Sequence, residues 1–220
     1  MKKKRAIIFG TASFGEVVDF YLSEDSPYEV VAFTADDVSP GLQLRGRPVV
    51  PFAEVSDRYP PGDHEVFVAV GYRQMNDVRE KLCNEVRAKG YSLLSYVCSK
   101  ATTWRQPQIG ENVFIFEDNT IQPFVSIGSG SVLWSGNHVG HHSQIEDYCF
   151  ISSHVVISGH CQIGSHSFIG VNATIADGVK VGARNLIGPG TLIQKDTEPE
   201  DVYLAERTPK FPKPSSRFMR

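Results

Sequence analysis

Branched aliphatic residues recur along the second half of the chain at a spacing of six with no slip. They are Ile109, Ile115, Ile121, Ile127, Leu133, Val139, Ile145, Ile151, Ile157, Ile163, Ile169, Ile175, Val181, Ile187 and Ile193. The next residue is often glycine (Gly110, Gly128, Gly140, Gly164, Gly170, Gly182, Gly188), and the residue four after the aliphatic is small or asparagine, as at Ser131, Asn137, Ser143, Cys149 and Ala173. A helix repeats at about 3.6 residues and a strand at about 2, so neither produces a strict six. One short strand plus one corner does, with the aliphatic and the small residue facing inward and glycine easing the bend. Three units then close a coil of 18 residues, position 109 stacks under 127, 145, 163 and 181, and the fifteen units give about five coils. Each coil satisfies the backbone N–H and C=O groups of its neighbours, and together they bury a core that no single unit could.

The first part of the chain has a different pattern. Residues 6–10 form an apolar run that stops at Gly10, followed by Thr-Ala-Ser-Phe-Gly15 and a helical stretch over 16–22. A second strand over 30–33 ends at Asp36-Asp37. A third over 66–70 ends at Gly71 and leads into an amphipathic helix over 78–86, and 91–97 reads as a last strand. Alternating strands and helices predict a small parallel α/β sheet. Three segments are therefore expected: an α/β domain over 1–98, the repeat domain over 99–196, and a tail over 197–220 rich in Pro, Lys and Arg (Arg207, Lys210, Lys213, Arg217, Arg220) with little structure of its own. Ligands of such sheets sit beyond the carboxyl ends of the strands. Here those ends carry 10–15, Asp36-Asp37 and Gly71. The run Gly10 to Gly15 lacks the middle glycine of GxGxxG, so it fits either a phosphate loop or a tight strand-to-helix turn.

Composition narrows the function classes. The net charge of -3 gives no basic excess for nucleic acid, and Lys2, Lys3, Lys4 and Arg5 read as a solvated N-terminal face. No apolar run approaches the roughly 18 residues of a membrane span, so a cytoplasmic protein that engages no membrane is expected. Cys83, Cys98, Cys149 and Cys161 show no CxxC spacing, and the last two fall on inward slots as reduced core thiols.

Six of the seven histidines lie between 138 and 166, none on an inward slot. His142 and His160 are 18 apart and should stack about 4.8 Å apart on one corner. That arrangement suits a subunit contact, a metal or a polar wall.

The strict hexads resemble the hexapeptide-repeat, left-handed parallel β-helix. The resemblance supplies the handedness, because the general crossover rule favours right-handed. The stretch Leu133-Trp-Ser-Gly-Asn-His-Val-Gly-His-His-Ser-Gln-Ile145 resembles the catalytic-base segment of the sialic acid O-acetyltransferase and bacillosamine N-acetyltransferase family. That family joins a nucleotide-sugar-binding α/β domain to a trimeric β-helix that binds acetyl-CoA between subunits. The resemblance implies His141 as base, followed by His142 where relatives carry an acid. It implies acetyl-CoA contacts at Phe150, Val171 and Pro189, and sugar-nucleotide contacts at Ala12, Ser13, Phe14, Asp36, Asp37 and Gly71. Asn76 and Arg79 match further family positions, but by residue type they read as a helix-start and a surface residue.

Acetyl transfer from a thioester needs a nucleophile aimed at the carbonyl, a base and oxyanion donors. The expected function is acetyl-CoA-dependent N-acetylation of a nucleotide-linked amino sugar by a homotrimer. Transfer is direct, with His141 as general base, His142 beside it, acetyl-CoA as co-substrate and no resident metal. Sugar O-acetylation is the nearest alternative. A γ-type carbonic anhydrase would use the same solenoid with zinc, but its H-x4-H spacing is missing here and it lacks the α/β domain. A non-catalytic sugar-nucleotide-binding protein is the third reading.

Overall fold

The computed structural model describes residues 4–104 and 107–217. Lys2 and Lys3 of the basic start, and Arg220 of the tail, lie outside the described residues. The chain begins with β1 (Lys4–Phe9), α1 (Ser13–Glu24), β2 (Tyr28–Ala35), β3 (Gln43–Leu44) and β4 (Arg47–Pro51). It continues with α2 (Val55–Arg58), β5 (His64–Val68), α3 (Asp77–Ala88) and β6 (Ser92–Leu93). The strands lie in the order β3-β4-β2-β1-β5-β6, parallel except for the β3–β4 hairpin. Both faces of β1 are covered, as its unbroken apolar run requires. Ala6 and Ile8 pack with Val18 and Leu22 of α1, whereas Ile7 and Phe9 pack with Leu82, Cys83 and Val86 of α3.

Two sequence expectations are corrected here. The run 91–97 is not one strand: β6 ends at Leu93, and Tyr96–Val97 already pairs with Phe114–Ile115 in the repeat region. Leu94 and Ser95 turn the chain from one sheet to the other. The tail also carries structure, since Val202–Tyr203 pairs with Leu186–Ile187 as a last rung. The hairpin of β3 and β4 was not anticipated. It rests on a two-residue turn, Arg45-Gly46, with φ of 50° and 75°, and its strands are too short to show a pattern.

From Tyr96 onward the chain forms a three-faced parallel coil. The first face has seven strands from Tyr96–Val97 to Val202–Tyr203, the second six from Thr102–Thr103 to Leu192–Ile193, and the third five from Gln108–Ile109 to Lys180–Val181. The 18-residue register holds on every face, for example Phe114, Val132, Phe150 and Phe168 on the first. The hexad aliphatics from Ile115 to Ile193 fill the interior with Cys149, Cys161 and Ala173. Backbone conformation repeats as strictly as hydrophobicity. The third residue after each aliphatic has positive φ from Asn112 to Gly190. Asn, Gly and His tolerate that region best. His142, His154, His160 and His166 all occupy it.

Outward residues of the first face are large and apolar, most of them aromatic, where the α/β domain covers them. Phe114, Phe116, Val132 and Phe150 share one cluster with Phe14, Val18, Tyr21 and Phe67. Polar contacts also close the seam. Tyr21 donates to Glu117 at 2.6 Å, the β5 amide of Val68 donates to Asn112 Oδ1 at 2.7 Å, and Arg87 meets Glu111 at 2.7 Å.

Candidate functional site at the edge between the second and third faces

The corner after Val139 runs Gly140-His141-His142-Ser143. Gly140 is required by close stacking, because a Cβ there would meet the Gly159 nitrogen at 2.5 Å. The His141 amide donates to Gln122 Oε1 at 2.8 Å, and the His141 carbonyl accepts from the His160 amide at 2.9 Å, so the corner is held from both neighbouring coils. Ser143 turns inward and is buried, which throws the two imidazoles outward. His141 Nδ1 and His142 Nδ1 are 3.1 Å apart. The His142 ring stacks on His160 at 4.9 Å, at the spacing the 18-residue repeat predicts, and lies against Phe124 at 4.6 Å.

The other nitrogen of His141 looks into a gap. Gly159 occupies His141's corner position one coil later, and Asp177 occupies it two coils later. The point where a Gly159 methyl would stand is 3.2 Å from His141 Nε2 and 3.1 Å from Asp177 Oδ1. An imidazole nitrogen and a carboxylate oxygen therefore border one small space opened by the glycine. Asp177 was not singled out from the sequence. Its signal was the hexad register itself, two full coils beyond His141.

Directly below the histidines in the corner ladder are Pro123 and Phe124. They line a cleft of about 660 Å³ with Trp104, Pro107, Gln108, Ile121, Gln122 and Val125. Trp104 and Phe124 are 78% and 77% exposed. Large aromatic area left open beside polar chemistry is characteristic of binding surfaces.

The remaining expected site residues fall in two other places. Val171 and Pro189 are exposed and successive on the edge between the first and second faces, 18 residues apart, whereas Phe150 is buried on the first face against Phe168 and Tyr72. Thus a single chain does not bring the acetyl-CoA candidates to His141. Ala12, Ser13, Phe14, Asp36, Asp37 and Gly71 gather at the carboxyl edge of β2, β1 and β5, where strand order reverses about β1. Asp36 and Asp37 are exposed, but Phe14 is committed to packing against Phe67, Phe114 and Trp134. Packing accounts for both glycines of the β1–α1 turn. A Cβ on Gly10 would meet the Ala69 carbonyl oxygen at 2.7 Å, and one on Gly15 would overlap the Gly10 carbonyl oxygen.

Arg79 is the main correction to the residue-by-residue reading. It is not a surface residue but fully buried, and its guanidinium donates only to neutral oxygens. The acceptors are the carbonyls of Gly130 (2.6 Å), Val70 (3.0 Å), Gly71 (2.8 Å), Tyr148 (3.4 Å) and Cys149 (3.3 Å), with Asn76 Oδ1 at 2.9 Å. Burial lowers its pKa to about 10. Asn76 precedes α3 with φ 71°, is itself buried, and donates to the His166 carbonyl at 3.1 Å. Together the two residues fasten the loop after β5 to the coil corners.

Comparison with known proteins agrees with this architecture. The family described as bacterial transferase hexapeptide (six repeats) matches residues 160–195. No curated protein matches the chain by sequence. Among solved structures, the acetyltransferase domain of PglB from Neisseria gonorrhoeae, in complex with acetyl coenzyme A, is similar with a TM-score of 0.65 at 22% identity, over 91% of this chain and 95% of that one. PerB from Caulobacter crescentus, in complex with CoA and GDP-perosamine, gives 0.63 at 23% identity over 90% and 92%. WeeI from Acinetobacter baumannii gives 0.50 at 20% over 90% and 94%. The chain is thus a hexapeptide-repeat protein that joins an N-terminal α/β domain to a left-handed parallel β-helix.

Proposed function

We propose that this protein is an acetyl-CoA-dependent N-acetyltransferase acting on a nucleotide-linked amino sugar, with His141 as general base. The observation that carries the reading is the surrounding of His141. With a proton on Nδ1 donated to His142 Nδ1, the lone pair of Nε2 faces the gap over Gly159 that Asp177 borders from the other side. His142 then does, as a neutral acceptor, the orienting work that an acid does in relatives. A sugar ammonium placed on the solvent side of Gly159, against both exposed groups, suits them: Asp177 holds its charge, and His141 takes the proton it must shed before attack. The amine attacks the thioester carbonyl, and collapse of the tetrahedral intermediate expels the CoA thiolate, which takes the second amine proton. Direct transfer is supported by the cysteines. Cys149 and Cys161 are fully buried, and burial pushes the Cys149 thiol up to about 12.

In this reading residues 1–98 hold the nucleotide sugar through Ala12 to Phe14, Asp36, Asp37 and Gly71, and residues 99–196 hold acetyl-CoA at Phe150, Val171 and Pro189. A homotrimer accounts for the separation of edges, with the base of one chain meeting the acetyl-CoA edge of another. Exposed Val156, Val171 and Leu192 on and beside the second face, with Trp104 and Phe124 at its far edge, supply apolar contact area. The likeness to one structure in complex with acetyl coenzyme A and another in complex with CoA and GDP-perosamine supports the choice of substrates. No helix among the described residues is long and apolar enough to cross a membrane, in keeping with a cytoplasmic enzyme.

The test offers acetyl-CoA with nucleotide sugars carrying either an amine or a hydroxyl at the same carbon, and compares kcat/KM. Preference for the amine is expected. Preference for the hydroxyl moves the assignment to O-acetylation, and binding of the sugar nucleotide without turnover moves it to a non-catalytic binder.

A further inference from the structure

We infer that His141, His142 and His160 form a binding site within one chain for a divalent transition cation of the zinc class. One ring nitrogen from each of the three lies within 4.8 Å of the other two. Two coils build the site. His142 and His160 hold the same left-handed backbone conformation, with φ of 61° and 57°, so their rings leave the solenoid in parallel, 12° apart. The His141 ring stands across them, at 87° to His142 and 85° to His160. Small side-chain rotations bring three nitrogens to the roughly 2.0–2.1 Å that zinc requires, and exposed histidines can make them.

The donor set selects the ion. Three neutral imidazoles suit Zn²⁺, Ni²⁺ and Cu²⁺, whereas Ca²⁺ and Mg²⁺ need oxygen ligands that this cluster does not offer. The ladder also leaves a route in. Phe124 closes it below, but above stands Gly178, where a Cβ would touch nothing within 4 Å. The second such cluster among the described residues, Asp77, Glu80 and His166, is already engaged: Arg184 pairs with Asp77 at 2.5 Å and His166 with Glu80 at 3.0 Å.

A consequence for regulation rests on the base assignment proposed above. His141 Nδ1 stands 3.1 Å from His142 Nδ1, so a cation shared by these two imidazoles takes that atom of His141. An imidazole ligated at Nδ1 carries its proton on Nε2, so the lone pair that accepts the acceptor's proton is gone. The cation therefore stops the chemical step: kcat falls while KM for either substrate changes little.

The experiment titrates full-length, chelator-treated protein with zinc chloride by calorimetry in the absence of substrates. One Zn²⁺ per chain is expected for the wild type and for His166→Ala. His160→Ala should bind at least about 10–100-fold more weakly, since losing a direct ligand costs no less than losing an outer-shell partner. Equal binding by His160→Ala, or loss of binding in His166→Ala instead, overturns the site. A second arm measures acetylated sugar by chromatography, because free CoA thiol itself chelates zinc. His160→Ala should keep most of its activity and lose inhibition by zinc. Zinc binding at the triad without inhibition would overturn only the regulatory consequence. Absence of any acetyl transfer would overturn the functional reading and leave the calorimetric result standing.

Discussion

His141 and Asp177 face each other across a glycine, their Nε2 and Oδ1 atoms 3.2 Å and 3.1 Å from the point a Gly159 methyl would occupy. Gly159 has no positive φ, so alanine fits its backbone, and the nearest atoms belong to exposed side chains that can yield. Gly159 is itself buried, but because the flanking side chains can give by a few tenths of an ångström, Gly159→Ala should change stability by less than about 1 kcal/mol. It should still cut kcat by tenfold or more, on the order of what misplacing a reacting group costs. Thermal melting and steady-state kinetics on one preparation check the pair. Unchanged kcat would show that the acceptor does not enter this gap.

Asp177 should discriminate between acceptors. A carboxylate at that distance favours a cationic amine over a neutral hydroxyl, and an amide does not. Asp177→Asn should raise KM for the amino sugar by up to about fivefold, the equivalent of one exposed charge interaction of at most about 1 kcal/mol. It should barely alter KM for the hydroxyl analogue. Equal losses on both acceptors would reduce Asp177 to a structural role.

Substituting the base itself should hurt most. His141→Ala is expected to lower turnover by about 10²–10⁴-fold, the range for loss of a positioned general base, with acetyl-CoA affinity nearly unchanged. His142→Ala should cost less, because it removes only the acceptor that fixes the His141 tautomer. A larger loss at His142 than at His141 in single-turnover assays would reverse the two roles.

How far the sequence reveals this protein depends on which period a feature obeys. The hexad aliphatics show every rung, because a strict six has no other source. The stacking of His142 on His160 follows from the same arithmetic. Asp177 obeys it too, but an exposed aspartate at a corner carries no mark of its own until Gly159 is seen to leave the space beside it open. Features that depend on packing between domains had no periodic signal. Arg79 looks like any arginine on an amphipathic helix, and only docking of α3 onto the coil corners buries it. The end of β6 is hidden for a related reason: Tyr91-Ser-Leu-Leu-Ser-Tyr-Val97 reads as one strand, and nothing local says that it serves two sheets.

Arg79 should be the most costly residue outside the core. Removing a fully buried guanidinium strands several carbonyls without donors, and a buried acceptor left unsatisfied costs about 1–3 kcal/mol. Arg79→Ala is therefore expected to melt earlier and to weaken nucleotide-sugar binding, because Gly71 is held through the same guanidinium at 2.8 Å. Acetyl-CoA binding should change little. Denaturant midpoints and two binding isotherms test this, and a stability loss under about 1 kcal/mol would contradict the rivet role assigned to Arg79.

The seam between the two domains also predicts an acid limit. Asp25 follows α1 and accepts hydrogen bonds from Tyr96 Oη at 2.6 Å and the Ser99 amide at 2.7 Å. Burial opposes its ionisation, but those hydrogen bonds outweigh it and hold the carboxyl at about 2, below its ordinary 3.8. A carboxyl with a depressed pKa in the folded state stabilises the fold at pH values above its unfolded pKa. That contribution shrinks as pH falls from about 4 toward 2, where the folded protein must also take up the proton. Asp25→Asn removes the titration and keeps the shape. The stability gap between wild type and this variant should be constant above about pH 5 and should narrow steadily below pH 4. Urea melts at a series of pH values provide the check, and a gap that stayed constant down to pH 2.5 would show that Asp25 does not contribute to the acid sensitivity of the seam.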